Sequence, residues 1–135
     1  MADTFDLEIA TPEKLVIHEQ VTDAQIPAEG GMIGVLPEHA ALISQLGIGE
    51  LTYTLGGVKQ TLVVSGGWVE VLKNHVRVLA DAAEKPGEID VARAQASLKR
   101  AEERLAKASG EGIDIPEELN AVKRAQARLA AAGVR

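Results

Sequence analysis

Hydrophobic spacing changes once along this chain, and the change divides what each part can fold into. Residues 5–79 read as short apolar runs separated by turn residues, the pattern of an antiparallel sandwich or barrel. After Asp81, apolar residues recur at alternating intervals of three and four, the pattern of helices that each present a narrow seam to one partner. Lys85-Pro86-Gly87 breaks the first regime before the second begins. The expected organisation is mixed: an all-β N-terminal domain over residues 1–84, and an α tail over residues 85–135.

In the first part, Phe5-Asp6-Leu7-Glu8-Ile9 alternates strictly, so one face of the strand suits a core and the other suits water. Strand-length runs follow at Leu15 to Ile17, Val21 to Ile26, Gly30 to Leu36, Leu51 to Leu55, Val58 to Val64, Trp68 to Leu72 and Val76 to Leu79. Eight to ten strands are expected. Gly56-Gly57 suits a two-residue hairpin turn, because both positions of such a turn favour positive φ. Ser65-Gly66-Gly67 and Lys73-Asn74-His75 read as two further turns.

In the tail, Val91, Ala94, Leu98, Ala101, Leu105 and Ala108 form one seam, and Ile115, Leu119, Val122, Ala125, Leu129 and Ala132 form a second. Ser109-Gly110-Glu111-Gly112 separates them. Asp114 is placed to cap the second helix, with Pro116 in its first turn. These features predict a two-helix antiparallel hairpin. An Ala–Ala contact buries far less area than a Leu–Leu contact at ~25 cal/mol per Å², so the hairpin should be marginal and have two arrangements open to it.

Composition narrows the chemistry. The chain has no cysteine, which rules out disulfides and thiolate metal sites and is the usage of a reducing compartment. No run approaches the ~20 apolar residues that span a bilayer, and the N-terminal residues do not read as a signal peptide, so membrane attachment is expected only through a partner. The net charge of -6 is unevenly spread: residues 1–84 carry 4 Lys/Arg against 12 Asp/Glu, and residues 85–135 carry 10 against 8. An aromatic content of 2% gives no platform for stacking bases. His18, His39 and His75 are scattered without metal-ligand spacing, and Gly30-Gly31 with Gly34 lacks the Lys-Ser/Thr of a phosphate-binding loop. Neither a catalytic residue nor a metal site is expected.

One stretch could recognise a ligand. Asp90, Arg93, Ser97, Arg100 and Arg104 fall along one flank of the first helix at 100° per residue, and Arg124 and Arg128 pair on the second. Were those flanks to meet, several guanidinium forks would surround a polyphosphate. The plainer arrangement has Asp90 as a cap and the arginines paired with Glu102, Glu103, Glu117 and Glu118, and spacing alone favours it.

Gly34-Val35-Leu36-Pro37-Glu38-His39-Ala40 with Leu42, Ser65-Gly66-Gly67 with Glu70-Val71, Val78-Leu79-Ala80-Asp81, and Ile89-Asp90-x-x-Arg93-Ala94 with Arg100 and Glu102-Glu103-Arg104-Leu105 carry a resemblance. Together they resemble the epsilon subunit of bacterial F-type ATP synthases, apart from Ala41 and the Gly31-Met32 pair. The resemblance implies a β-sandwich that binds the gamma subunit and the c-subunit rotor ring, with Met32, Pro37, Glu38 and His39 at that interface. It implies a hairpin that regulates, lying folded on the sandwich or extended toward the alpha/beta catalytic head, where it inhibits ATP hydrolysis. Catalysis would belong to other subunits. ATP would act as a regulatory ligand favouring the folded form, held by Ile89, Asp90, Arg93, Ala94, Arg100, Arg124 and Arg128, with Glu84 a further contact; no cofactor is required. The implied location is peripheral, at the cytoplasmic face of the bacterial inner membrane and attached only through the complex.

Two other readings stand beside this one. The first is a purely structural coupling subunit without ATP sensing. The second is a free-standing adaptor whose basic arm binds RNA phosphates, which the acidic sandwich argues against. Taking a hairpin from about one-tenth to about nine-tenths folded needs an ~80-fold shift, or about 2.6 kcal/mol, within reach of a millimolar ligand.

Overall fold

The computed structural model describes residues 3–107 and 112–134. Alternation in β1 (Phe5–Ala10) buries Phe5, Leu7 and Ile9 and leaves Asp6 and Glu8 on the outer face. Among the described residues seven more strands follow: β2 (Leu15–Val21), β3 (Asp23–Ala28), β4 (Gly31–Val35), β5 (Leu42–Gln45), β6 (Ile48–Leu55), β7 (Val58–Leu72) and β8 (His75–Glu84). A short 3-10 turn, Pro86–Glu88, leads to the helices α1 (Val91–Ala106) and α2 (Ile115–Ala131).

The strands form one hydrogen-bonded path, β2-β1-β8-β7-β6-β3-β4, with β5 added to β7. The path closes into two layers because β7 is long and bent. Its first half pairs with β6 from Val58 to Ser65, its second half pairs with β5 from Trp68 to Val71, and β8 accompanies both halves. The bend is at Gly66 (φ +66) and Gly67 (φ +110). Ser65-Gly66-Gly67 is therefore not a turn between two strands, as its composition suggests, but a corner within one. A side chain at Gly67 would put its Cβ 2.0 Å from the Leu79 carbonyl oxygen, so only glycine lets β8 pass so close.

Two other features depart from the sequence reading. Leu42–Gln45 forms β5, too short and too mixed to register as an apolar run. And β1 pairs with β8 in parallel, Asp6 opposite His75 through Ala10 opposite Leu79, within an otherwise antiparallel sandwich. No tight turn joins these two strands, so their relative direction is set by packing and not by a hairpin.

The core lies between the layers, with Leu7, Ile9, Ile26, Leu51, Leu62, Val64, Val69 and Val71 fully buried. Each contributes ~1.5–3 kcal/mol by leaving water. Trp68 is 52% exposed, opposite the equally exposed Leu79 on β8.

Asp90 caps α1 by accepting from the Arg93 amide at 3.0 Å, and Asp114 caps α2 by accepting from the Glu117 amide at 3.1 Å, with Pro116 in the first turn. The helices pack on each other, and α2 lies against β6 and β7, so the hairpin is folded down on the sandwich. Ala94, Ala101 and Ala125 are buried as their seams require, and Leu98, Leu105, Val122 and Leu129 are half-buried. Ile115 and Leu119 are exposed, however, and Glu118 is buried between them. Glu118 takes the inward position one turn before Val122 and pairs with Arg104 of α1 at 3.1 Å, so a carboxylate and not Leu119 faces the other helix there. Ala108 and Ser109 to Glu111 lie outside the described residues; Gly112 has φ +82.

Candidate functional site

Arg128, near the end of α2, stands between two small compartments. The first, about 130 Å³, is lined by Glu84 at the end of β8, Glu88, Asp90 and the first turn of α1 at Arg93 and Ala94, with Arg128 closing it. The second, about 200 Å³, runs between the helices and is lined by Ser97, Arg100, Arg104, Glu118, Arg124 and Arg128. Small-molecule pockets are typically ~300–1,000 Å³. Neither compartment reaches that range alone, and together they just enter it.

Most of the residues singled out in the tail meet here. Asp90, Arg93, Ala94 and Glu84 share the first compartment, Arg100 and Arg124 the second, and Arg128 both. Ile89 caps the 3-10 turn and lines neither. Arg104 and Glu88 were not among the residues assigned to a ligand, yet both line the cleft. Arg104 could have been found from its place on the same flank as Arg100; Glu88 carries no such signal.

The charges are partly committed. Arg128 Nε donates to Glu84 Oε1 at 2.6 Å, joining α2 to the sandwich by a short charge-assisted hydrogen bond. Arg104 is held by Glu118, and Asp90 accepts from its own helix. Among the described residues, Arg93, Arg100 and Arg124 have no carboxylate within 4.0 Å. The cleft can thus supply several guanidinium groups to an anion, and the N-terminus of α1 adds its amide dipoles to the first compartment.

A wider cleft of about 470 Å³ separates α2 from the sandwich, with Glu29 from the β3–β4 turn, Asp81 from β8, and Lys123 and Arg124 from the helix. No ion pair among the described residues closes across it.

Met32, early in β4, and Leu36, just beyond its end, are exposed, and Pro37-Glu38-His39 makes a tight turn in the β4–β5 loop. Glu38 has φ +65, and its amide donates to Asn74 Oδ1 at 3.3 Å. His39 Nδ1 donates to the carbonyl of Ala40 at 2.6 Å, which fixes the ring. His18 and His75, remote in sequence, come together on the outer face of the sandwich, where Asp6 reaches both.

The profile of the ATP synthase, Delta/Epsilon chain, beta-sandwich domain matches residues 4–86, and that of the long alpha-helix domain of the same chain matches residues 88–133. The chain belongs to the ATP synthase delta/epsilon chain family. Among family members, the ATP synthase epsilon chain of Solibacter usitatus is 54% identical over 132 residues, covering 98% of both chains. That of Syntrophobacter fumaroxidans is 44% identical over 129 residues, covering 96% of both. A subunit in the structure of the Euglena gracilis mitochondrial ATP synthase, OSCP/F1/c-ring, superposes with a TM-score of 0.84 at 25% identity, covering 98% of this chain and 82% of that one. A chain of the Tetrahymena thermophila mitochondrial ATP synthase central stalk and c-ring shares the fold, with a TM-score of 0.63 at 13% identity, covering 95% of this chain and 96% of that one. Among the described residues, no helix is long and apolar enough to cross a membrane.

Proposed function

We propose that this chain is a non-catalytic central-stalk subunit of an F-type ATP synthase whose helical hairpin regulates ATP hydrolysis in response to ATP. The sandwich binds the gamma subunit and the c-subunit rotor ring, with Met32, Pro37, Glu38 and His39 at that interface. The hairpin reaches the alpha/beta head when extended, and the chain sits peripherally at the cytoplasmic face of the membrane through these partners. One observation carries the regulatory reading: folding the hairpin onto the sandwich brings Glu84, Asp90 and Arg93 next to Arg100, Arg124 and Arg128, in two compartments that share the Arg128 side chain. An extended hairpin would lose that juxtaposition, since Glu84 belongs to β8 and Arg128 to α2.

The phosphates of ATP suit Arg93, Arg100 and Arg124, which have no carboxylate partner among the described residues. Seating the whole nucleotide requires Arg128 to leave Glu84 and turn to the ligand, which merges the compartments. Because the competent cleft exists only in the docked hairpin, ATP favours docking by its binding free energy.

A titration of the full chain with ATP, read by calorimetry and by small-angle scattering, tests this. ATP should bind, and the radius of gyration should fall as it does. Replacing both Asp90 and Arg93 by Ala should abolish binding while the sandwich stays folded. An unchanged radius at saturating ATP would overturn sensing and leave the stalk assignment standing.

The second reading, a structural coupling subunit without sensing, draws on the same cleft. Asp90 already serves as a cap, and Arg128 and Arg104 already have carboxylate partners. It expects no ATP binding in the same titration.

A further inference from the structure

Away from the hairpin, three adjacent strands bring four metal-ligating side chains to the outer face of the sandwich. Register places His18 of β2 opposite Glu8 of β1, and His75 of β8 level with Asp6 of β1. His18 Nε2 lies 3.0 Å from both carboxylate oxygens of Asp6. One donor atom each from Asp6, Glu8 and His18 lies within 4.8 Å of the other two. His75 borders this group, with Nδ1 3.4 Å from Asp6 Oδ2 and Nε2 3.0 Å from Glu8 Oε1.

The strands beneath the group are packed, and Asp6 accepts from Gln20 Nε2 at 2.9 Å while also meeting both imidazoles. Leu7, Ile9, Val76 and Val78 alternate with it on β1 and β8 and are buried beneath, which holds both strands in place. A neutral imidazole donates from one nitrogen only, so His75 in that form cannot serve both carboxylates. Its Nε2 is buried and, although close to Glu8, is not aligned for a hydrogen bond. Arg77 Nε approaches Glu8 no nearer than 3.7 Å.

We propose that Asp6, Glu8 and His18 bind a divalent first-row transition ion of the zinc type, with His75 at the margin of the site. Two carboxylate oxygens and one imidazole nitrogen make a mixed donor set that prefers zinc, cobalt or nickel to magnesium or calcium, which favour oxygen throughout. Water would complete the coordination on this open face. Spacing in the sequence hides the site because each strand contributes a different part of it. The site is independent of the nucleotide reading, since it shares no residue with the hairpin cleft.

Calorimetric titration of the full chain with zinc chloride, in phosphate-free buffer stripped of metal, tests the proposal. One ion should bind, and the imidazole NMR signals of His18 should shift with it. His18→Ala and Asp6→Asn should each weaken binding by about tenfold or more. His39→Ala, at the β4–β5 loop, should leave it unchanged. Both diagnostic side chains lie on the outer face, His18 on an edge strand, so the core and the melting temperature should persist. Absence of zinc binding would overturn the site, as would equal affinities in the His18→Ala and unsubstituted chains. So would magnesium competing on equal terms, which would mark the face as a diffuse negative surface.

Discussion

Gly67 holds the most constrained backbone in the sandwich. Its φ of +110 is closed to ordinary side chains, and a Cβ there would lie 2.0 Å from a carbonyl oxygen that takes part in the β7–β8 pairing. Gly67→Ala combines strain with a clash that no rotamer relieves, and should cost about 3 kcal/mol or more. Urea unfolding should show the loss as a lower midpoint; a midpoint within experimental error of the original would mean that the corner can open without cost. Gly57→Ala, at a two-residue turn with nothing within 4 Å of the added Cβ, should cost less. Composition made both Gly-Gly pairs look like turns. What separates them is the approach of β8 to Gly67, a contact between strands that no local window contains. At Asp90 and Asp114, by contrast, the signal is wholly local, an acceptor placed one residue before a helix, and it was legible from the sequence.

The elements of the tail show the same limit at larger scale. Alternating intervals of three and four located both helices and the alanines between them, because helical periodicity depends on near neighbours. The first turn of α2 went otherwise, since the inward position there is Glu118, which pairs with Arg104 of the other helix and is no part of the apolar pattern of its own. The Glu84–Arg128 bond was beyond reach for a related reason: the two residues meet only because α2 docks on the sandwich. Glu84→Gln removes the charge from this half-exposed pair and should weaken docking by about 1 kcal/mol, a roughly fivefold shift toward released hairpins. Spin labels at Lys59 and Ala130 would report it as a broadened distance distribution without nucleotide. A distribution unchanged by the substitution would assign docking to the apolar contacts of α2 alone.

For the whole molecule, the sequence foretold an acidic sandwich and a basic tail, and the structure lays the tail so that Lys123 and Arg124 face Glu29 and Asp81 across an open cleft. Such attraction acts through water and is screened by salt. Raising sodium chloride from about 0.1 M to about 1 M shortens the Debye length from about 10 Å to about 3 Å. The nucleotide-free chain should then expand in solution scattering, whereas a constant radius would show that long-range charge plays no part in docking. Strand number and layer class were legible because alternation records which residues face a core; the parallel β1–β8 pair was not, because direction leaves no trace in spacing. The bent β7–β8 ribbon gives this architecture a mechanical character. Most sandwiches resist separation of their layers only through contacts between side chains. Here a continuous pair of strands turns from one layer into the other, so a sideways pull on either layer loads covalent backbone and a ladder of hydrogen bonds in shear. A part that turned within a rotor would meet that kind of load on every revolution.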